Sequence, residues 1–248
     1  AGDTLATSAK VIFQKGELSV IGVADKTVGS IDGSGTITID ATKTAGSTLK
    51  VTSNVDSTKA QTFKDFNINL GVVNTASQAG QNATLDFGDA NNGQVFASGV
   101  LKTTVVETVG SGTAHGVATL QSSGSLTFGT ATQETTSSTH GNGAIKVQGT
   151  SYNFDVQADT KVAGTTVNLV TSTVSVAEGS KLTVSASTGN VAVYDEVAFQ
   201  NKGLVSLEAK QDLTFDADYD ASAGKLALSG ANVTVTGTIK GGELQLGA

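Results

Sequence analysis

Val167-Asn-Leu-Val-Thr-Ser-Thr-Val-Ser-Val-Ala-Glu-Gly-Ser-Lys-Leu-Thr-Val-Ser-Ala186 is the stretch that decides the fold. Apolar residues fall in pairs, Val167/Leu169, Val174/Val176 and Leu182/Val184, each pair enclosing one polar residue. Successive side chains of an extended strand point to opposite faces, so this is the signature of short strands with one face buried. The pairs continue as Val191/Val193, Val197/Phe199, Val205/Leu207, Leu213/Phe215, Leu226/Leu228, Val233/Val235 and Leu244/Leu246. From Val167 onward their starts are 7, 8, 9, 6, 8, 8, 13, 7 and 11 residues apart. Few Asn-Gly or Asp-Gly hairpin signals separate them and the chain has no proline. Strands this short suit a stack of coils better than a sandwich, whose strands run longer. Three strands per coil give a repeat of about 22 residues. At the usual ~4.8 Å between strands, the whole chain would make roughly eleven coils and about 50 Å of rod.

The same alternation appears upstream, in Ile37-Thr-Ile39, Phe66-Asn-Ile-Asn-Leu70 and Tyr152-Asn-Phe-Asp-Val156. No window carries apolar residues at i, i+3, i+4 and i+7, and the one helical candidate, Thr75 to Ala83, is polar and interrupted by Gly80. Ser47–Ser53 and Phe63–Val73 read as longer strands, Gln94–Val109 as a hairpin or one long bent strand, and Thr130–Gly143 as a linker or exposed loop. The expected fold is all-β: an elongated parallel β-helix or solenoid-like body over residues 11–248 behind an N-terminal arm of residues 1–10. The alternative is an antiparallel β-sandwich in one or two units, divided near residues 130–143.

Composition narrows function. The chain has 248 residues, 30 glycines and 36 threonines, and no Pro, Cys, Met or Trp. All 15 cations are lysines, against 22 carboxylates, for a net charge of −7. Without cysteine there is no disulfide framework, thiolate metal site or thiol nucleophile. Without clustered cations, nucleic acid is not an expected partner. His115 and His140 are the only histidines, too few for a His-rich metal site. No run approaches the ~18 apolar residues of a membrane-spanning helix. The sequence opens Ala1-Gly2-Asp3 without an initiator methionine, which suggests an exported, processed protein.

Gly179-Ser-Lys-Leu-Thr-Val-Ser-Ala186, Gly203-Leu-Val-Ser-Leu-Glu-Ala209 and Gly224-Lys-Leu-Ala-Leu-Ser-Gly230 are glycine-led coils with a Leu-x-Leu/Val centre. They resemble the secreted right-handed parallel β-helices of the filamentous-haemagglutinin and autotransporter class, over about residues 167–248. The resemblance implies a secreted, adhesive surface protein. The chain departs from that class in lacking proline, which the secretion motif of two-partner exoproteins contains.

Candidate chemistry is sparse. Asp216, Asp218 and Asp220 lie at i, i+2 and i+4, so an extended strand points all three carboxylates one way. A hard cation would relieve their repulsion, and Ca2+ is the fitting ion. Ala221 and Ala227 stand where an EF-hand requires Gly and Glu. Asp86, Asp89 and Asn91, before Asn92-Gly93, form a second oxygen-rich turn. No Gly-x-Ser-x-Gly elbow, Walker loop or His-Glu-x-x-His is present, and Gly110–Gly116 has the wrong spacing for a phosphate loop. No catalytic residue is expected, and a polysaccharide-active enzyme is the third reading.

The ends carry the functional expectation. Leu244/Leu246 is followed by only two residues, and Val11-Ile-Phe13 follows directly on the polar arm Ala1–Lys10. An uncovered sheet edge is a template for another chain. The leading expectation is therefore an extracellular structural protein that polymerises through the N-terminal arm and the C-terminal strand edge into a filament, sheath, surface layer or matrix. The runner-up is an adhesin whose loops, such as Thr130–Gly143, bind surface glycans.

Overall fold

A computed structural model describes residues 10–21, 26–41, 46–51, 60–76, 79–88, 93–130, 132–133, 147–148 and 150–247. No helix occurs among them. Three long sheets run along the molecule, and every strand pairing in them is parallel. Face A holds Lys10–Ile21, Ser30–Asp40, Phe66–Asn74, Gly99–Thr108, Tyr152–Val156, Ser172–Val176 and Val197–Phe199. Face B has nine strands, from Lys26–Val28 through Lys181–Ala186 to Glu243–Gly247, and face C has seven, from Gln61–Phe63 to Asn232–Val235. The chain passes round the three faces coil after coil, so the described residues form a parallel β-helix of nine coils. Parallel neighbours in all three sheets rule out the antiparallel sandwich.

One interior column on face B shows the coil length. Leu49, Leu85, Leu120 and Val162 are in register across successive coils at separations of 36, 35 and 42 residues. Val162, Val184, Leu207, Leu228 and Leu246 follow at 22, 23, 21 and 18. With the 23 residues from Lys26 to Leu49, the 22-residue repeat holds toward both ends of the rod and fails in the three coils between. Those three coils are 13 to 20 residues longer, as at residues 109–117, which is why nine coils form among the described residues in place of eleven. At ~4.8 Å per rung they span about 40 Å.

Corners explain the other differences from expectation. Phe63–Val73 is two strands, Gln61–Phe63 on face C and Phe66–Asn74 on face A, turned at Asp65 with a φ of 51°. Gln94–Val109 is likewise two strands, Gln94–Phe96 and Gly99–Thr108, around a corner at Gly99, and not a hairpin. Gly99 has a φ of 134°, and a Cβ there would lie 2.1 Å from the Phe66 carbonyl oxygen of the coil before. Gly129 repeats the device one coil later, at a φ of 81° and 2.2 Å from the Thr171 carbonyl oxygen. Only glycine fits where the backbone turns left-handed against its neighbour. The described part of Thr75–Ala83 is not helical: Thr75 bridges Ala114, and the next strand begins at Asn82.

Inward positions stack into apolar columns. Phe63, Phe96 and Phe128 are in register on face C. Their ring centroids are 5.2 Å apart in both steps, with interplanar angles of 17° and 12°. Phe66, Phe87, Tyr152 and Phe154 pack around this stack. The Tyr152 hydroxyl donates to the Phe66 carbonyl at 3.3 Å, and full burial pushes its phenol pKa up. The buried hydroxyls of Thr103 and Thr160 pair at 2.8 Å, satisfying the polar groups that the core encloses.

Candidate functional site

Phe215, Ala217 and Tyr219 are buried, which leaves Asp216, Asp218 and Asp220 on the outside, as their spacing predicts. With Asp195, Thr238 and Lys240 they line a groove of about 490 Å³. Each carboxylate accepts a hydrogen bond from the protein. Asp216 accepts from the Thr236 hydroxyl, Asp218 from the Thr238 backbone N–H at 2.8 Å, and Asp220 from the Ser222 backbone N–H at 2.9 Å. The Thr238 N–H and hydroxyl hold the Asp218 carboxyl below the usual carboxylate range, with a small contribution from Lys240. The Ser222 hydroxyl and N–H do the same for Asp220.

Beneath the groove, burial pushes the Tyr219 phenol up to about 12, partly offset by a hydrogen bond from the Asn201 amide. The Tyr219 hydroxyl donates to the Lys225 carbonyl at 2.9 Å. Thr236 and Thr238 escaped the sequence reading, although they lie 20 residues beyond the aspartates they meet, which is one coil.

Asp86 lies elsewhere, on face B five coils earlier. Its two oxygens accept from the Gly88 N–H at 2.7 Å and from the Gln121 amide at 2.9 Å. Asp89 and Asn91 lie outside the described residues, so the second oxygen-rich turn is described only at Asp86. Among the described residues, no three His, Asp or Glu side chains converge in a way that would hold a metal ion. His115 is exposed on a loop that folds back to Thr75, and a strand, Ala118–Gln121, follows it. His140 lies outside the described residues, as does most of Thr130–Gly143. At the base of that segment Thr132–Gln133 pairs antiparallel with Val147–Gln148. The Thr130 N–H donates to the Thr150 carbonyl at 3.0 Å, and the Thr150 N–H returns to the Thr130 hydroxyl at 3.0 Å.

The last described rung differs from the others. Leu244 and Leu246 continue the columns of Leu226 and Leu228, and Val235 continues that of Phe215. Leu226, Leu228 and Phe215 are at most 1% exposed, whereas Leu244, Leu246 and Val235 are 41%, 66% and 38% exposed. Val233 and Ile239 are half-buried beside them. Among the described residues, Asn232–Val235 and Glu243–Gly247 are the last strands of faces C and B. At the opposite end, Lys26 occupies the interior column above Leu49 and is exposed. Residues 1–9 of the N-terminal arm lie outside the described residues, and Lys10 opens the first strand.

The chain matches no protein-family model, and comparison with curated proteins and with solved structures gives no match either. The class is therefore defined by the fold alone, a three-faced parallel β-helix.

Proposed function

We propose that this chain is an exported structural protein of the cell exterior, a rod that self-assembles through β-edge contacts. One observation carries the proposal. At the last described rung the interior columns carry exposed Leu244, Leu246 and Val235. Exposed apolar side chains in the line of a core column offer apolar area to a further rung. A second copy supplies that rung. The likeness of the glycine-led coils to secreted filamentous-haemagglutinin and autotransporter β-helices supports an extracellular setting and a filament, sheath or surface layer. The absence of Cys, Met and Trp, the most oxidisable side chains, fits a long-lived extracellular material. Negative-stain microscopy and light scattering of concentrated protein test it. Elongated assemblies that disappear in Leu246→Lys are expected, and monodisperse single rods at all concentrations would refute it.

A second reading, display of a surface-binding loop for glycans, draws on the paired hydrogen bonds between Thr130 and Thr150, which bring the two ends of the polar stretch together. Glycan-array binding that disappears when residues 134–146 are replaced by a Gly-Ser linker would favour it.

A further inference from the structure

In the middle of the rod one strand of face A runs out past the corner as a ledge. Gly99–Thr108 pairs with Tyr152–Val156 only from Gly99 to Thr103, and the bond from the Gln157 N–H to the Thr103 carbonyl closes that ladder. Beyond it, Thr104–Thr108 continues beside Phe66–Asn74, and no described strand lies along its other side. Val105, Glu107 and Thr108 pair with Val72, Val73 and Asn74, while a β-bulge leaves Val106 out of the ladder. Val105, Val106 and Val109 are 37%, 40% and 48% exposed. The chain then turns away at Gly110, with a φ of 65°, toward the bridge between Ala114 and Thr75.

We infer that this ledge is a lateral joint between two copies of the chain. Thr104–Thr108 of one copy pairs antiparallel with Thr104–Thr108 of the other, about a two-fold axis at Val106. The joint goes beyond the contact proposed at the last described rung and does not require it. Six of the seven residues from Thr103 to Val109 are β-branched, and none is Gly or Pro. That is the composition of segments that pair with copies of themselves. Sheet edges are ordinarily guarded by charges or proline, and Glu107 is the only charge on this one.

The length of the ledge fixes the register. Gln157 bounds it at one end and the Gly110 turn at the other. In an antiparallel pair the Gln157 corner of each copy comes beside the Gly110 turn of the other, so five residues face five and Val106 is the midpoint. Val106 then faces its own copy, Thr104 faces Thr108, and Val105 faces Glu107. Facing threonines are favourable cross-strand partners, and the valines cover apolar area that each copy alone exposes. Centring the pair on Glu107 would instead set two carboxylates face to face, which is unfavourable. A two-fold contact uses the same surface on both copies and closes on itself. The ledge therefore joins rods in pairs, side by side and pointing opposite ways.

Single-cysteine trapping tests the joint, since the chain has no cysteine of its own. Facing residues of an antiparallel pair have Cα atoms ~4.5–5.5 Å apart, inside the disulfide range. Under mild oxidation the full-length Val106→Cys chain should form covalent dimer at least about ten-fold faster than Lys161→Cys, an exposed outward position of face B. Residue 105 then tests the register. With Val106→Cys, Val105→Lys sets an ammonium opposite Glu107 twice over, whereas Val105→Glu sets a carboxylate there, so the lysine variant should trap at least about three-fold faster than the glutamate variant. Equal rates for the two single cysteines, or trapping indifferent to the charge at residue 105, would overturn the ledge joint. Assemblies still seen by light scattering would then leave the contact at the last described rung standing. Selective trapping that persists when Leu246→Lys is added would support the ledge joint apart from that contact. The comparison of Val106→Cys with Lys161→Cys decides the matter even where a residue-105 variant fails to fold.

Discussion

Replacing Phe96 with alanine tests whether this protein is held together by stacked rungs. Phe96 is 0% exposed and is the middle ring of the Phe63–Phe96–Phe128 column, 5.2 Å from each neighbour. Phe66, Phe87 and Tyr152 touch it from the sides at 6.2, 5.8 and 5.6 Å. Its strand, Gln94–Phe96, is hydrogen-bonded to a strand above and a strand below, so the backbone ladder fixes the rung spacing and the cavity cannot collapse. The cost should fall at the upper end of the ~3–5 kcal/mol range for Phe→Ala in a core. At roughly 2–4 °C per kcal/mol for a chain of this size, the melting temperature should drop by about 8–20 °C. Each coil touches only its neighbours, so the damage should be local. Urea unfolding followed by far-UV circular dichroism measures the total, and hydrogen exchange by mass spectrometry locates it. Exchange should accelerate most around Gln61–Phe63, Leu126–Phe128 and Tyr152–Val156, and least in the last three coils. A loss under about 1 kcal/mol, or uniform acceleration along the rod, would refute the reasoning.

Two further expectations concern pH and cations. The Tyr219 phenol rises from 10.0 to about 12 on folding, so its contribution is complete below pH 10 and is lost as pH climbs toward 12. Tyr219→Phe should flatten this alkaline decline while costing about 1–3 kcal/mol at neutral pH, because the Lys225 carbonyl and Asn201 amide lose their partner. A chemical-denaturation series from pH 7 to 12 reads both effects. Asp218 and Asp220 are shifted the other way, so their contribution is present above the ordinary carboxylate pKa and is lost as pH falls below about 4. Asp218→Asn keeps an acceptor for the Thr238 N–H and should flatten the acid decline. Because these carboxylates are engaged by Thr236, Thr238 and Ser222, millimolar calcium should leave the melting temperature unchanged. A rise that Asp218→Asn removes would place a cation in the groove.

Period-two pairs between Val167 and Leu246 were enough to read strand lengths, inward faces and a 22-residue coil, because in that half each coil is little more than three strands and three corners. The first half hid the same architecture. There the corners carry up to a score of extra residues, and Phe66–Asn74 and Gly99–Thr108 run on past the corner, so the spacing between apolar pairs no longer reports the coil. Corners at Asp65 and Gly99 were misread as strand interior, since a single residue at positive φ leaves no mark on an apolar pattern. The outward direction of Asp216, Asp218 and Asp220 was legible from alternation alone. Their partners were not, because Thr236 and Thr238 become neighbours only once the register between coils is known.

That register also decides where on the rod an interaction is best sought. Along its flanks, outward side chains bond to the rung above or below. Glu17 accepts from Thr38 at 2.8 Å, Asp86 from Gln121 at 2.9 Å, and Asp212 from Asn232 at 2.8 Å. Each such bond spends on the neighbouring coil the hydrogen-bonding capacity that a ligand would need, and the flat faces in between carry mainly hydroxyls. On Glu243–Gly247, by contrast, Leu244 and Leu246 of the inward columns are exposed. In a parallel β-helix every interior rung is stabilised from two sides, by the rung above and the rung below. On the proposed self-assembly, the exposed Leu244, Leu246 and Val235 are therefore the apolar area that a second copy would cover, while the hydrogen-bonding side chains of the flanks would stay committed to their own neighbouring coils.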